Sequence, residues 1–278
     1  EGTDGGLSGV AVEFLVVQWK SSRWRLYLYV MYLHEYPYYE ESALVGRHVS
    51  DLYDNSIRRT DWVLSTLHAY MESAGLADNT IIVVLSDHGE AFGERGFEGH
   101  ARSVFPETTE TPLIVSLPFA IEGGIVVKDK TTNIDVWPTL LEMMGIADDG
   151  DRDGISRMPE LLAAAEGARV DREGDVSVAF LDETWGRPGT DPKPAISVIE
   201  GEYRFLRGTN DSGTLTEVLL KTDDDQTADR IEEFPEIASR LRDEADRQLA
   251  IEPEYSSDNI ELDEMQLDQL RALGYELP

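Results

Sequence analysis

Apolar residues first gather at Arg25 to Leu33 (RLYLYVMYL), an almost unbroken aromatic and aliphatic run. A strand covered on both faces has that pattern, because no polar position alternates with the apolar ones. His34 stands at its end. From Tyr53 to Ala74 the spacing changes: Ile57, Trp62, Leu64, Leu67, Tyr70 and Met71 recur at roughly helical intervals, and Gly75 supplies a stop. This predicts an amphipathic helix packed on a sheet. Thr80 to Leu85 (TIIVVL) and Pro112 to Leu117 (PLIVSL) predict two more strands buried on both faces. Asn133 to Met144 predicts a helix with Pro138 near its first turn and Gly145 as its stop. Strand, helix and strand in alternation imply an α/β fold with a mostly parallel sheet flanked by helices. Val10 to Trp19 (VAVEFLVVQW) reads as a residual helix or an isolated strand.

Past Asp148 to Asp153 (DDGDRD) the pattern shortens. Val176 to Leu181, Ala195 to Ile199, Glu202 to Leu206 and Thr214 to Lys221 predict short strands, with Glu200-Gly201 as a tight hairpin turn. A small antiparallel sheet is the natural arrangement. Ala228 to Ala250 predicts a charged amphipathic helix, and Gln266 to Tyr275 a short one capped at Gly274. The charged break divides the chain into a core piece, residues 1–155, and a C-terminal α+β subdomain, residues 156–278. DDGDRD lacks the spacing and terminal Glu of a calcium loop, so a solvated turn is the simpler reading.

Composition narrows the chemistry. A 278-residue chain that is 41% hydrophobic is large enough to bury a core. Its 55 acidic against 24 basic residues, a net charge of -31, argue against nucleic acid and anionic membrane as partners. An anionic substrate would need a local positive centre such as a metal ion. Only five of the basic residues are lysines, and an acidic, Lys-poor surface stays soluble where salt screens its self-repulsion, as in a saline habitat. The absence of cysteine excludes disulfides, thiolate metal sites and a cysteine nucleophile. The longest apolar runs fall well short of the roughly 20 residues of a membrane span. Glu1 to Gly9 does not resemble a signal peptide, and the start reads like the middle of a longer protein.

The densest chemistry lies in SDHGEAFGERGFEGH, residues 86 to 100, directly after the TIIVVL strand. Open α/β sheets bind ligands at such strand ends. Asp87 offers a hard anionic oxygen and His88 an imidazole nitrogen, so adjacent side chains could hold one divalent cation. The glycines let the backbone bend closely around it. Glu90 and Glu94 are read as solvating the loop or supporting the ligands from behind. His48 and His68 have no motif context and are taken as structural or exposed.

From the helix at Tyr53 through DNTIIVVLSDHGEAFGERGFEGHARSVFPETTETPLIVSLP to IDVWPTLLEMMGI, the chain resembles the sulfatase family of the alkaline phosphatase superfamily in motif identity, order and spacing. His34, in HEYPYYE, His88 and His100 fall on matching positions. The resemblance implies part of an alkaline-phosphatase-like sandwich, followed by the small antiparallel sheet and helix. It implies one divalent cation, commonly calcium, held in part by Asp87 and His88. His34 and His100 would bind the sulfate oxygens and assist the leaving group, and Arg102 could add positive charge. The substrate would be a small-molecule or glycan sulfate ester, and the setting periplasmic or secreted; the oligomeric state stays open.

Two family features have no match in this chain: the Cys/Ser-x-Pro-x-Arg motif that yields the formylglycine nucleophile, and the early acidic metal pair. Tyr32-Leu33 stands where relatives often carry Asp-Pro or Asp-Val, and Glu217 to Leu220 replaces the usual Leu-Tyr-Asp-Leu strand. The chain alone is therefore expected to be inactive. A phosphodiesterase or phosphotransferase on the same scaffold, or a noncatalytic truncated or degenerate relative, are the alternatives.

Overall fold

The computed structural model describes residues 49–100, 103–118, 123–147, 150, 153–170, 172, 174–184, 190–209, 213–222 and 225–251. The strand expected at Arg25 to Leu33, the segment Val10 to Trp19 and the helix expected at Gln266 to Tyr275 lie outside them. The chain divides into two units, one of Glu1–Ile81, Leu117–Phe119 and Pro253–Pro278, the other of Ile82–Ser116 and Ala120–Glu252. Among the described residues no helix is long and apolar enough to cross a membrane.

In the first unit, α1 (Val49–Ser73) is the helix expected from the spacing. Its most buried positions are Asn55, Ser56, Val63 and Met71, while Ile57 and Trp62 of the anticipated apolar face are exposed. Gly75, at φ +68°, ends it. The Gly75 N–H bonds to the Glu72 carbonyl and the Leu76 N–H to that of Met71, which satisfies two of the last carbonyls and buries Leu76 beside the helix end.

In the second unit, β1 (Ile82–Leu85) pairs with β4 (Leu113–Ser116) in antiparallel register, Ile82 opposite Ser116 and Leu85 opposite Leu113. Every strand pair among the described residues is antiparallel. A parallel return needs a crossover of about a dozen residues or more, usually helical. Among its described residues the connection here holds the hairpin β2 (Ala91–Phe92) and β3 (Glu98–Gly99), a 3-10 turn at Glu94–Gly96 and the four-residue α2 (Pro106–Thr109), and no longer helix. The two strands are also less covered than their apolar runs suggest: Leu85 and Leu113 are exposed, and Ile114 is 60% exposed.

Next, α3 (Val136–Met143) follows a 3-10 turn at Asn133–Asp135 and ends at Gly145, φ +64°. The helix α4 (Met158–Ala165) has no counterpart in the sequence expectations. Arg157, just before it, is buried and donates to Asp135 at 2.8 Å, Glu160 at 3.4 Å and Asp175 at 2.5 Å, while Arg172 also bonds Glu160.

The C-terminal strands β5 (Val176–Asp182), β6 (Pro194–Glu200), β7 (Tyr203–Thr209) and β8 (Leu215–Lys221) form the expected antiparallel meander. Its β6–β7 turn is Gly201-Glu202, one residue beyond the anticipated pair, with Gly201 at φ +55°. Alternation sends Ile196, Val198, Phe205 and Leu219 to one face, where Ala238, Leu241 and Ala245 of α5 (Pro235–Leu249) close the core. Ala195, Leu206 and Leu220 point the other way, against Val104. The helix starts at Pro235 rather than Ala228, because proline is accommodated in the first turn and not inside.

Candidate functional site

β1 delivers Ser86, Asp87, His88 and Gly89 at its C-terminal end. The turn is held from three sides. Ser86 Oγ donates to the His88 carbonyl at 2.6 Å, the Gly89 N–H donates to the Thr108 carbonyl at 2.9 Å, and Asn133 Nδ2 donates to the Ser86 carbonyl at 2.9 Å. Glycine is required at 89 by space: a Cβ there would lie 2.2 Å from the Glu107 carbonyl oxygen.

The β2–β3 hairpin then brings distant parts of the motif together. Ala91 pairs with Gly99 and Phe92 with Glu98, so Glu90 and His100, which flank the hairpin, become neighbours. Gly93, Gly96 and Gly99 all take positive φ, which the bends around the tip require. Arg95 fastens that tip: its guanidinium bonds Glu107 and the Gln226 carbonyl and lies 4.7 Å from the Phe105 ring centroid.

As a result His100 Nδ1 lies 3.0 Å from Glu90 Oε2, whose side chain is only 4% exposed. The His88 and His100 rings stack with centroids 4.1 Å apart. Asp87 remains exposed beside His88, with Asp87 Oδ1 3.9 Å from His88 Nε2. Ligand-capable atoms of His88, Glu90 and His100 all lie within 4.8 Å of one another. Two imidazoles and a carboxylate, with Asp87 beside them, suit a divalent cation, so the residues present fit the ion that the family resemblance implies.

The sequence-designated residues Asp87, His88 and His100 thus share one loop system. His34 and Arg102 lie outside the described residues. Glu90, read from the sequence as a solvating or supporting group, lies against His100 and belongs with His88 and His100 to the cluster that could hold an ion. Arg204 and Glu110 were not marked by the sequence. Arg204, fully buried on β7, donates to Glu110 at 2.6 Å and Thr109 at 2.7 Å and lines the same cleft of about 690 Å3 as Asp87, His88 and His100. Burial works to raise the Glu110 pKa, but hydrogen bonds from Gln226 and the Arg204 charge outweigh it and hold the carboxyl below its usual value.

The family model described as Sulfatase matches residues 8–146, half of the chain, and spans the whole of this loop. The chain belongs to the sulfatase family. Mouse steryl-sulfatase is 29% identical over 154 residues, covering 50% of this chain and 25% of that protein. The low-salt glycan biosynthesis sulfotransferase of Haloferax volcanii is 30% identical over 230 residues, covering 74% of this chain and 54% of that one. A solved structure in complex with its substrate D-glucosamine-2-N,6-O-disulfate superposes at a TM-score of 0.56 with 21% identity, covering 75% of this chain and 44% of that one. That last likeness is one of fold alone. The chain spans from a quarter to about half of these relatives' length.

Proposed function

We propose that this chain supplies the metal- and sulfate-binding side of a sulfatase active site that hydrolyses the sulfate ester of a small molecule or glycan in a periplasmic or secreted setting. The observation that carries the reading is the stack of His88 on His100 with buried Glu90 behind it, at the end of β1 and inside the family match. Asp87 and His88 hold one divalent cation. Family resemblance points to calcium, whereas the imidazole donor also admits a borderline ion such as manganese or zinc. The ion, when bound, polarises sulfate oxygens as a Lewis acid.

His100 donates to the sulfate oxygens and passes a proton to the leaving alkoxide, a role suited to imidazole near neutral pH. Glu90 accepts from His100 Nδ1 and so leaves Nε2 to face substrate. His34 and Arg102 complete the cationic surround in this reading. The chain holds no cysteine and no Ser-x-Pro-x-Arg motif, so the nucleophile is supplied from outside these residues, and the isolated chain shows no turnover. In this reading the chain has a catalytic piece, residues 1–155, and a C-terminal subdomain, residues 156–278, whose strands β5, β6 and β7 wall the cleft.

The test is sulfate release from an aryl sulfate by the protein encoded in the whole genomic reading frame. The expected result is EDTA-sensitive turnover that falls about a hundredfold or more in His100→Ala. Turnover indifferent to both treatments, or a preference for phosphodiesters, would sink the reading. A second reading, sulfuryl transfer to a sugar hydroxyl, is favoured by the sulfotransferase relative whose match covers 74% of the chain. Sulfated sugar formed in place of free sulfate when acceptor is added would select it.

A further inference from the structure

The cleft at His88 and His100 does not end there. Lys128, Asp129, Lys130, Ser177 and Ile199 line both it and a second cavity of about 510 Å3, and so form a waist where the two adjoin. Ser177 and Ile199 are cross-strand partners on β5 and β6, which gives the waist a floor of regular sheet. Its other wall is the strap of residues 128–130. The strap runs into the Thr132 to Asp135 capping box, and Asn133 of that turn bonds the Ser86 carbonyl. The lysines are thereby tied, through a few residues of chain, to the loop that carries Asp87 and His88.

The charge around these two cavities departs from that of the chain. Six basic side chains and six carboxylates line the two cavities, against 24 basic and 55 acidic residues overall. Four of the six cations are committed: Arg157 to Asp135 and Asp175, Arg172 to Glu160, Arg169 to Asp129, and Arg204 to Glu110. Lys130 stands 3.8 Å from Glu110, which already accepts from Arg204 and Gln226. Lys128 is exposed and makes no ion pair among the described residues. Two of the chain's five lysines thus line the waist, Lys128 without an ion pair among the described residues and Lys130 sharing Glu110 with Arg204.

We propose that Lys128 and Lys130 form a subsite for a second anionic group, sulfate or carboxylate, on an oligosaccharide whose reacting sulfate sits at His88 and His100. The inference rests on the sulfatase reading for the reacting end only. It makes the two lysines specificity determinants: they contact substrate remote from the bond that breaks.

Calorimetric titration of the full chain, with a divalent cation present, tests it. The ligands are a monosulfated disaccharide, the same disaccharide with a second sulfate, and its uronate counterpart. Wild type should bind the dianions about tenfold more tightly than the monosulfate, with the advantage shrinking as salt is raised. Lys128→Ala/Lys130→Ala should keep monosulfate binding and lose the advantage, and circular dichroism should show its fold unchanged. Whichever dianion gains more identifies the preferred group. An advantage absent in wild type, or retained in the double variant, overturns the subsite. The underlying reading fails separately, if His100→Ala leaves monosulfate binding unchanged.

Discussion

A methyl group at position 89 would sit 2.2 Å from the Glu107 carbonyl oxygen, and that backbone cannot retreat without breaking the Gly89 to Thr108 hydrogen bond. Gly89→Ala should therefore cost about 1–3 kcal/mol, read as a lowered denaturation midpoint, and weaken metal binding with it. Unchanged stability would mean that the loop is looser than described. Glu90 makes a different prediction. It touches His100 and orients that ring in the proposed site, so Glu90→Gln should keep the fold but lower sulfate-analogue binding roughly tenfold or more, by analogy with groups that orient functional histidines from behind. The Asp87, His88 and His100 constellation was legible in the sequence because residue type, spacing and a preceding apolar strand coincide. Arg204 was not: its partners Glu110 and Gln226 lie far away in the chain, and nothing local distinguishes it from a surface arginine of a strand.

Elements with local causes were legible, and those with distant causes were not. The ends of α1 and α3 follow from Gly75 and Gly145, and the β6–β7 turn from Gly201, since positive φ is a property of single residues. Antiparallel pairing of β1 with β4, by contrast, depends on what the connection packs against, and an apolar run does not state its partner. The α4 helix has only a short local signal, Met158, Leu161, Leu162 and Ala165 at helical spacing, and its start is anchored by Arg157, which is buried among Asp135, Glu160 and Asp175. Arg157→Met should destabilise the chain by roughly 3 to 5 kcal/mol, because it strands buried carboxylates. The same network sets an acid limit. Burial works to raise the pKa values of Asp135 and Glu160, but backbone N–H donors and Arg157 for the former, and Arg172 for the latter, overcome it and lower both. Their stabilisation is full above the unfolded carboxyl range near pH 4 and is lost as pH falls through the lower folded values. Urea midpoints measured between about pH 3 and 6 should decline on the acidic side, and Arg157→Met should shift that decline to higher pH.

At the scale of the molecule, a net charge of -31 places much of the surface under mutual repulsion. Thermal midpoints should rise by several degrees between low and molar NaCl; a fall with salt would show that attractive pairs dominate instead. The β1–β4 ribbon, with Leu113 and Ile114 exposed, marks where an apolar surface remains to be covered. The C-terminal sheet is covered by α5 on one face and only in part by the segment around Val104 on the other, and it leaves Phe180 and Leu215 exposed. What unites both parts is the cleft that His88 and His100 share with β5, β6 and β7, and the function proposed for it turns on one ion. The decisive measurement is calorimetric titration of the purified chain with calcium, manganese and zinc, in wild type and in Asp87→Ala/His88→Ala. The sulfatase account predicts one bound ion per chain in wild type and its loss in the double variant without loss of helix signal. No binding of any of the three ions, or equal binding by both proteins, would contradict it.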